Sequence, residues 1–464
     1  EELFFFAIGL KLLRSRRETV SVEPFQPVDM APFYNALPFT LTDAQRRCVE
    51  EAVADMQSGK PMNRLCQGDV GSGKTMVAAA CVYFCVKNGR QAALMAPTEL
   101  LAEQHYRGLA PLLERLNIRC ALLTGSTPAK TKRSVTAQLA TGEIGFAIGT
   151  HALISGGVAY ADLGLVVTDE QHRFGVEQRA ALASKGENPH KLVMSATPIP
   201  RTLALMIYGD LDISVLKELP KGRQPVETYA VTGKLRERAF NYVKKYLDEG
   251  RQGYIVCPMI DESDMDLQDV KTYAKKLSQG TFKDYTVGLL HGRMSGAQKE
   301  QVMNDFKEHK IDLLVSTTVV EVGVDVPNAA IMVIENADRF GLSQLHQLRG
   351  RVGRGKYKSS CILITDNVNE ESVKRLKILG KTNDGFKISE EDLKLRGPGD
   401  FFGSRQHGLP ALKIADMSQD MDILRKAQEA AQLIRNADPK LERTENIYLR
   451  ELVDKLFDKT MSDN

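Results

Sequence analysis

The sequence lacks any apolar run long enough to cross a membrane. Its longest apolar segments are LFFFAIGL at 3–10 and AAACVYFCV at 78–86. Both fall far short of the ~18 residues that a spanning helix needs. The chain also opens with Glu1 and Glu2, where a secretory signal would carry positive charge. We therefore expect neither membrane insertion nor export.

Paired cysteine motifs and a strong net charge are also missing. The seven cysteines are scattered, without a CxxC pair, at positions 48, 66, 81, 85, 120, 257 and 361. This spacing favours buried thiols in a reducing cytoplasm over a metal site. The 62 basic and 59 acidic residues leave a net charge of +3. That balance neither requires nor excludes nucleic acid, because binding a nucleic-acid backbone needs only a local basic track.

The 464 residues are too many for one hydrophobic core, so two or three domains are expected. Apolar runs typical of strands alternate with helical segments in a first series, at 63–67, 91–96, 119–124, 144–149, 163–169 and 191–196. A break rich in Pro, Gly and charge precedes a second series, at 253–259, 286–292, 312–320, 329–335 and 359–365. This alternation predicts two α/β units, each with a largely parallel sheet.

The remaining segments lie outside these two series. The first residues show an apolar helical pattern without a capping signal, followed by prolines, which indicates a linker from a domain upstream. Beyond about 370 the pattern turns polar and helical, with a Gly/Pro-dense segment at 395–408. The predicted divisions are 1–35 for the helical linker, 36–220 for a first lobe, 221–368 for a second lobe and 369–464 for a C-terminal element.

The segment GDVGSGKT fits a phosphate-binding loop between a strand and a helix. Its glycines let backbone N–H groups wrap phosphates, and the helix N-terminus adds the positive end of its dipole. Lys74 is expected to reach the β- and γ-phosphates, and the Thr75 hydroxyl to hold Mg²⁺. The predicted nucleotide-binding residues of this loop are Gly68, Asp69, Val70, Gly71, Ser72, Gly73, Lys74 and Thr75.

The segment LVVTDEQH ends an apolar strand in two carboxylates, Asp169 and Glu170. At the carboxyl edge of a parallel sheet, Asp169 would hold Mg²⁺ through water. Glu170 would orient the attacking water. Taken alone, such a pair also fits a solvated acidic surface; the phosphate loop about 100 residues upstream makes the catalytic interpretation the better one.

The segment QLHQLRGRVGRG places three further catalytic candidates, Gln347, Arg351 and Arg354, in the second unit. Guanidinium groups there can cross a cleft and stabilise charge on the γ-phosphate. Because such contacts form only when the lobes close, they would convert ATP turnover into a change of lobe distance. A basic surface helix is the alternative interpretation of the segment.

The ordered motifs resemble those of superfamily 2 helicases. They are LTDAQ, GDVGSGKT, APTELLAEQH, GTH, DEQH, SATPIPRT, HGRM, STTVVEVGVDVPNA and QLHQLRGRVGRG. DEQHRFG with SATPIPRT is similar to the branch formed by the RecG and transcription-repair coupling (Mfd) families. The tail FKISEEDLKLRGPGDFFGSRQHG resembles the RecG family more closely. The resemblance implies two RecA-like lobes with ATP and Mg²⁺ in the cleft between them, and a C-terminal translocation element.

The resemblance also implies roles around the nucleotide. Gln45 would read the adenine edge, and Phe39 would stack on the base. Asp325 would lie at the nucleotide face between the lobes. Ser195 and Thr197 would couple the nucleotide site to the nucleic-acid track. Each residue taken singly also fits a turn or a helix cap.

Other matching positions are expected to face DNA. Those placed against the strand backbone, where hydroxyls and amides suit phosphate contacts, are Thr98, Glu99, Thr124, Gly125, Thr150, His151 and Thr318. Taken singly, each of these also fits a turn or a helix cap. Arg396 and Gln406 match the element that couples ATP turnover to double-strand translocation in RecG and Mfd proteins. A simple turn at Gly-Pro-Gly is the alternative interpretation of that segment. His407 stands where that element usually has Ser.

The function implied is an ATP-dependent double-strand DNA translocase and helicase that remodels stalled forks and Holliday junctions in repair and recombination. The resemblance implies a monomer that binds branched or forked duplex DNA at forks in the bacterial cytoplasm. It suggests a single-strand-binding protein as a partner. RecG proteins carry an N-terminal wedge domain for which this sequence has no matching segment, so we expect a fragment with weakened fork discrimination.

Three other functions compete with this one: the motor module of a transcription-repair coupling factor, an RNA helicase and a non-catalytic DNA clamp. Pro398 argues against the first, because the Mfd branch usually has Ala there. RNA helicases usually show Asp-Glu-Ala-Asp at the DEQH site and lack the 395–408 segment. A clamp would not need the catalytic set, which is intact at Lys74, Asp169, Glu170, Arg351 and Arg354.

Overall fold

The computed structural model describes residues 1–17, 20–170, 176–196, 211–218, 225–258, 264–317, 326–367, 369–396, 415, 420–438 and 441–461. After a first helix, α1 (Glu2–Arg17), these residues form two parallel sheets with flanking helices and then a helical C-terminal region. In this part of the chain no helix has both the length and the apolar character needed to cross a bilayer. The predicted α/β fold with two parallel-sheet lobes is confirmed.

Seven parallel strands form the first sheet, in the order β3-β4-β2-β5-β6-β1-β7. They are β1 (Asn63–Gly68), β2 (Gln91–Met95), β3 (Cys120–Leu123), β4 (Phe146–Gly149), β5 (Leu163–Asp169), β6 (His190–Ser195) and β7 (Asp212–Leu216). The helices of this lobe are α2 (Ala31–Ala36), α3 (Asp43–Met56), α4 (Lys74–Lys87), α5 (Glu99–Glu114), α6 (Ala129–Ala140) and α7 (Val176–Ala183). Successive residues of β2 enter opposite cores, Leu94 on one face and Met95 on the other. Burial on both faces is typical of a parallel sheet covered by helices.

Six parallel strands form the second sheet, in the order β10-β11-β9-β12-β13-β8. They are β8 (Val226–Thr232), β9 (Gln252–Val256), β10 (Val287–Leu290), β11 (Leu313–Ser316), β12 (Ala329–Ile334) and β13 (Ser359–Thr365). The helices of this lobe are α8 (Arg236–Asp248), α9 (Asp264–Gln279), α10 (Gly296–Lys307) and α11 (Leu342–Arg349). Met332 and Val333 of β12 again enter opposite cores. The second lobe therefore repeats the architecture of the first.

Two strands, β7 and β8, are absent from the predicted series. Each lies at one edge of its sheet. In β8 only Val226 is buried, and in β7 the apolar residues are interrupted by Ser214. An edge strand can leave one face to solvent, so it needs no continuous apolar run. That is why both escaped a search for such runs.

The C-terminal region is helical and packs in two places. Its helices are α12 (Glu370–Lys381), α13 (Gly385–Arg396), α14 (Met421–Ala437) and α15 (Ile447–Met461). Leu379 of α12 and Ile388 of α13 share a core with Leu348 of α11. By contrast, α14 and α15 pack on α1, where Phe6 is almost fully buried. The segment predicted as a linker therefore shares a hydrophobic core with the end of the chain.

His190 at the start of β6 is a buried neutral base. The residue is 2% exposed, and its Nδ1 accepts a hydrogen bond from the Met62 backbone N–H at 2.9 Å. Its ring packs edge-on against Phe25, with centroids 4.6 Å apart. Burial, helped by the nearby Arg90 charge, lowers the pKa of His190 to about 4.

This histidine should make the protein less stable in mild acid. Between its ordinary pKa of 6.5 and about 4, the unfolded chain binds a proton that the folded chain does not. The free energy of unfolding therefore falls as the pH decreases, by up to about 3 kcal/mol from this group. His190→Gln keeps an acceptor for Met62 and should lose less stability than the parent between pH 7.5 and 5, as measured by urea unfolding. His309→Gln, at an exposed histidine, is the control; equal losses in all three proteins would contradict the prediction.

Candidate nucleotide site and interlobe contact

The phosphate loop lies between β1 and α4, as the sequence predicts. Gly71 and Gly73 have φ values of 78° and 82°, in the left-handed region that glycine adopts without steric cost. At Gly68 a Cβ atom would stand 2.5 Å from Ser72 Oγ. Ser72 Oγ is buried and has no hydrogen-bond partner among the described residues. A tight backbone curl with an uncommitted buried hydroxyl fits a phosphate group.

Lys74 points into the curl of this loop. Its Nζ donates to the Gly68 carbonyl at 2.8 Å and to the Asp69 carbonyl at 3.0 Å, and the residue is largely buried. Thr75 follows in the first turn of α4. A positive charge at the N-terminal end of a helix is well placed for a phosphate chain. The loop, the ammonium and the hydroxyl thus fit the predicted nucleotide.

Asp169 ends β5 with both carboxylate oxygens engaged. Its Oδ2 lies 2.8 Å from His105 Nε2, and its Oδ1 accepts the Glu170 N–H at 3.0 Å. Burial opposes ionisation, but the hydrogen bond from His105 and the charge of Lys74 outweigh it, and the pKa of the Asp169 carboxyl is lowered. The carboxylate is therefore charged and oriented at neutral pH.

Glu170 directly follows with a left-handed backbone, at φ 51°. This conformation is uncommon for a residue with a side chain, and such strain concentrates at functional sites. It ends the extended backbone of β5 immediately after Asp169. The two carboxylates therefore follow from different backbone conformations, and their roles stay predictions.

A protein cage for a metal ion is not found: the described ranges contain no group of three or more His, Cys, Asp or Glu side chains that could hold one. Magnesium in phosphate-transfer sites usually takes one or two protein ligands and completes its shell with phosphate oxygens and water. Thr75 and Asp169 suit that mode. The donor set therefore fits a magnesium–nucleotide complex better than a resident metal ion.

The second lobe reaches the phosphate loop through α11 and the residues after it. A Cβ atom at Gly350 would stand 3.1 Å from Val70 Cβ, so the two backbones lie in close approach. His346 Nε2 lies 2.6 Å from Asp69 Oδ1. Arg351 is buried, and Arg354 Nε donates to the Gly350 carbonyl at 3.1 Å. The structure thus brings the predicted arginine segment to the loop of the other lobe.

Gln45 contacts the phosphate loop from α3. Its Oε1 accepts the Thr42 N–H at 2.9 Å in a capping box, and its Nε2 donates to the Ser72 carbonyl at 2.8 Å. Both groups of its amide are therefore engaged, by the helix start and by the loop, and the residue is 3% exposed. Phe39, by contrast, is 51% exposed. Of the two residues expected to contact adenine, Phe39 has the free surface.

Six of the residues expected to face a DNA strand lie together at one edge of the first sheet. Neighbouring strands β3, β4 and β2 end just before the pairs Thr124–Gly125, Thr150–His151 and Thr98–Glu99. Carboxyl ends of parallel strands share one edge. Glu99 Oε1 accepts the Ser126 N–H at 3.2 Å, which ties two of the loops together. Thr150 Oγ1 is buried without a hydrogen-bond partner in the described part of the chain.

Three sequence families match successive parts of the chain. They are the DEAD/DEAH box helicases at residues 42–206, the helicase conserved C-terminal domain at 238–356 and the C-terminal part of domain 3 of the ATP-dependent DNA helicase RecG at 382–462. The Bacillus subtilis protein named ATP-dependent DNA helicase RecG is 50% identical over 439 residues, or 94% of this chain. The Synechocystis protein of the same name is 49% identical over 444 residues, again 94% of this chain. The chain matches the helicase core of the RecG family.

The chain spans 64% of the Bacillus RecG and 53% of the Synechocystis RecG. A solved structure of RecG bound to a three-way DNA junction matches it with a TM-score of 0.77 at 45% identity, over 91% of this chain and 56% of that one. Yeast Dbp5 bound to RNA and ADP BeF3 matches with a TM-score of 0.51 at 17% identity, over 84% of this chain and 98% of that one. The Dbp5 likeness shows the two-lobe fold alone.

Several predicted positions of the RecG motifs lie outside the described residues or at the ends of strands and helices. Thr197, Thr318, Asp325 and Gln406 lie outside the described residues, as do Pro398 and His407. Ser195 is the buried last residue of β6, and Arg396 is the last residue of α13. The roles expected of all these positions remain predictions.

The structure adds three residues to this site that the motifs did not single out: His105, His346 and Arg349. His105 lies seven residues after Thr98, two turns along α5, and reaches Asp169 from there. His346 and Arg349 lie on α11, just before the predicted Arg351 and Arg354. Each stands inside a segment that the sequence marks, but only the folded arrangement shows its partner.

Proposed function

We propose that this chain is the ATP-driven motor of a helicase that moves along double-stranded DNA and remodels branched junctions. The observation that carries the proposal is the contact of the arginine segment of the second lobe with the phosphate loop of the first, at Gly350 and Val70. A motor needs a nucleotide site that spans two lobes, so that ATP turnover changes their distance. A clamp without catalysis does not.

In this site each side chain has a separate task. Lys74 and the loop amides bind the β- and γ-phosphates, while Thr75 and Asp169 would hold magnesium, Asp169 through water. The ion would neutralise part of the negative charge of the phosphates. Glu170 orients the attacking water. The second-lobe residues stabilise the charge that develops on the γ-phosphate; they are Gln347, Arg351 and Arg354.

DNA is assigned to the edge where β2, β3 and β4 end, with backbone contacts from Thr98, Thr124 and Thr150. The related RecG was solved on a three-way DNA junction, which favours branched duplex as the substrate. The match of 382–462 to RecG domain 3 favours this over a coupling-factor motor. We extend the proposal to stalled forks and Holliday junctions in repair and recombination, with a monomer acting in the bacterial cytoplasm and a single-strand-binding protein as partner.

ATP turnover with different nucleic acids tests the function. The chain should be assayed without nucleic acid and with duplex, forked duplex, single-stranded DNA and RNA in parallel. Stimulation by duplex or forked DNA and none by RNA is expected. Stimulation by RNA alone would overturn the proposed substrate. A turnover rate that is the same with and without every DNA would contradict the proposed motor function.

Replacing Arg396 by alanine should uncouple ATP turnover from movement. Arg396 is the last residue of α13, and Ile388 of this helix packs in the same core as Leu348 of α11. A shift of α11 would therefore move α13 and the position of Arg396. Arg396→Ala should retain most DNA-stimulated turnover but lose displacement of a third strand from a triplex. Lys394→Ala removes the same charge from the same helix, and its partner is the exposed Glu391. If Arg396→Ala displaces strands at the parental rate, the coupling role is wrong.

A further inference from the structure

A hydrogen-bonded chain of three side chains joins the second lobe to the phosphate loop. His346 Nε2 lies 2.6 Å from Asp69 Oδ1, and His346 Nδ1 lies 2.8 Å from an Arg349 terminal nitrogen. His346 is 4% exposed and Arg349 is 3% exposed. None of the roles derived above for ATP or DNA uses these two residues. A buried chain of hydrogen bonds can couple the positions of two lobes, because each bond forms only within a narrow range of distances and angles.

Arg349 determines which nitrogen of His346 carries the proton. A guanidinium group only donates, so His346 Nδ1 must accept. The hydrogen of the neutral ring is then on Nε2, which donates to the Asp69 carboxylate in a charge-assisted bond. Arg349 is itself held by donating to the Leu379 carbonyl at 2.7 Å and the Thr382 carbonyl at 3.0 Å. The ring therefore presents one donor, in one direction, to the other lobe.

Asp69 connects the His346 ring to the rest of the phosphate loop. The same Oδ1 accepts the Val70 N–H at 2.7 Å, and the Asp69 carbonyl accepts from Lys74 Nζ. Burial opposes its ionisation, but the hydrogen bond from His346, the Val70 N–H and the charge of Lys74 outweigh burial and lower the pKa of the Asp69 carboxyl. His346 thus contacts the residue that anchors both the start of the loop and its ammonium group.

We propose that His346 is a positioning residue for ATP turnover, which sets the phosphate loop from the second lobe through Asp69. The bond can form only when the lobes are in contact, so the loop is fully ordered only in that arrangement. His346 does not touch the reacting atoms in this proposal, so its loss should weaken ATP capture more than the chemical step. The inference rests on the proposed function, because it assumes that the loop binds the phosphates of ATP.

Two substitutions at this position separate a directed hydrogen bond from simple space filling. In His346→Gln, the amide oxygen can accept from Arg349 while the amide nitrogen donates to Asp69, so the chain keeps its direction. His346→Leu has similar volume but neither group. Steady-state ATP turnover with saturating duplex DNA should be measured for both variants, together with their thermal unfolding midpoints.

We expect His346→Leu to raise the KM for ATP at least about tenfold, the scale of one hydrogen bond to a charged group, with a smaller change in kcat. His346→Gln should recover most of the parental KM. A merely structural role would lower kcat with the folded fraction and leave KM unchanged. Parental KM in His346→Leu, or equal KM values in the two variants, would overturn the proposal.

A double-mutant cycle checks the partner. If the bond to Asp69 is responsible, His346→Leu should raise KM much less in an Asp69→Ala background than in the parent, because the interaction is already lost. Additive effects would assign the KM change to another contact. Failure of the proposed function itself has a different signature: the parent would then show no DNA-stimulated turnover.

Discussion

Lys74→Ala is expected to abolish ATP turnover and leave DNA binding largely intact. The Lys74 ammonium lies within 3.0 Å of two loop carbonyls, so its removal takes away the one full positive charge that the loop itself carries. Loss of a charge aimed at a transferring phosphoryl group costs at least about a thousandfold in kcat. DNA binding should persist because the sheet edge assigned to DNA is formed by other loops.

The matched control for this variant is Lys87→Ala, at the opposite end of the same helix. Lys87 Nζ donates to the Leu116 carbonyl at 3.0 Å and is remote from the loop. Both variants lose one positive charge from α4, so a difference between them reflects position. Turnover should be measured with forked duplex at saturating ATP, and DNA binding by fluorescence anisotropy. Turnover within tenfold of the parent in Lys74→Ala would refute the assigned phosphate site.

The strands could be predicted where burial on both faces leaves a continuous apolar run, as in LGLVVTD of β5, which is buried throughout. The same criterion fails for β8, where the edge position exposes Thr228 and Tyr229 at least in part. The reason is physical. The apolar pattern of a segment reports how many of its faces are buried, and it does not report whether the segment pairs with a strand. The edge strands β3 and β10 keep a continuous apolar run and were predicted, whereas the edge strands β7 and β8 lack one and were missed.

The site shows a similar division between local and non-local information. Gly71, Gly73 and Lys74 could be predicted because a phosphate loop is a continuous segment whose backbone demands are written in consecutive residues. His105 could not be assigned to Asp169, because the contact depends on how α5 lies across β5. His346 needed one step more, the placement of one lobe against the other. Partners distant in the chain require the fold.

Arg351→Ala should reduce kcat about a thousandfold or more while changing the KM for ATP little. Arg351 directly follows Gly350, whose backbone lies against Val70 of the phosphate loop, and its side chain is buried. A guanidinium group that reaches across a cleft acts mainly on the charge that develops in the transition state. Such groups raise kcat by roughly 10³–10⁵. The loss therefore belongs to kcat, in contrast to the KM effect expected at His346.

Two further variants make this assignment specific. Arg351→Lys keeps the charge but loses the planar fork of donors, so it should recover little of the lost kcat. Arg339→Ala removes an exposed arginine of the same lobe and should leave turnover near the parental level. Single-turnover kinetics with saturating duplex DNA separates the chemical step from product release. A normal single-turnover rate in Arg351→Ala would place the γ-phosphate contact elsewhere in the segment, with Arg354, half-buried beside Gly350, as the next residue to test.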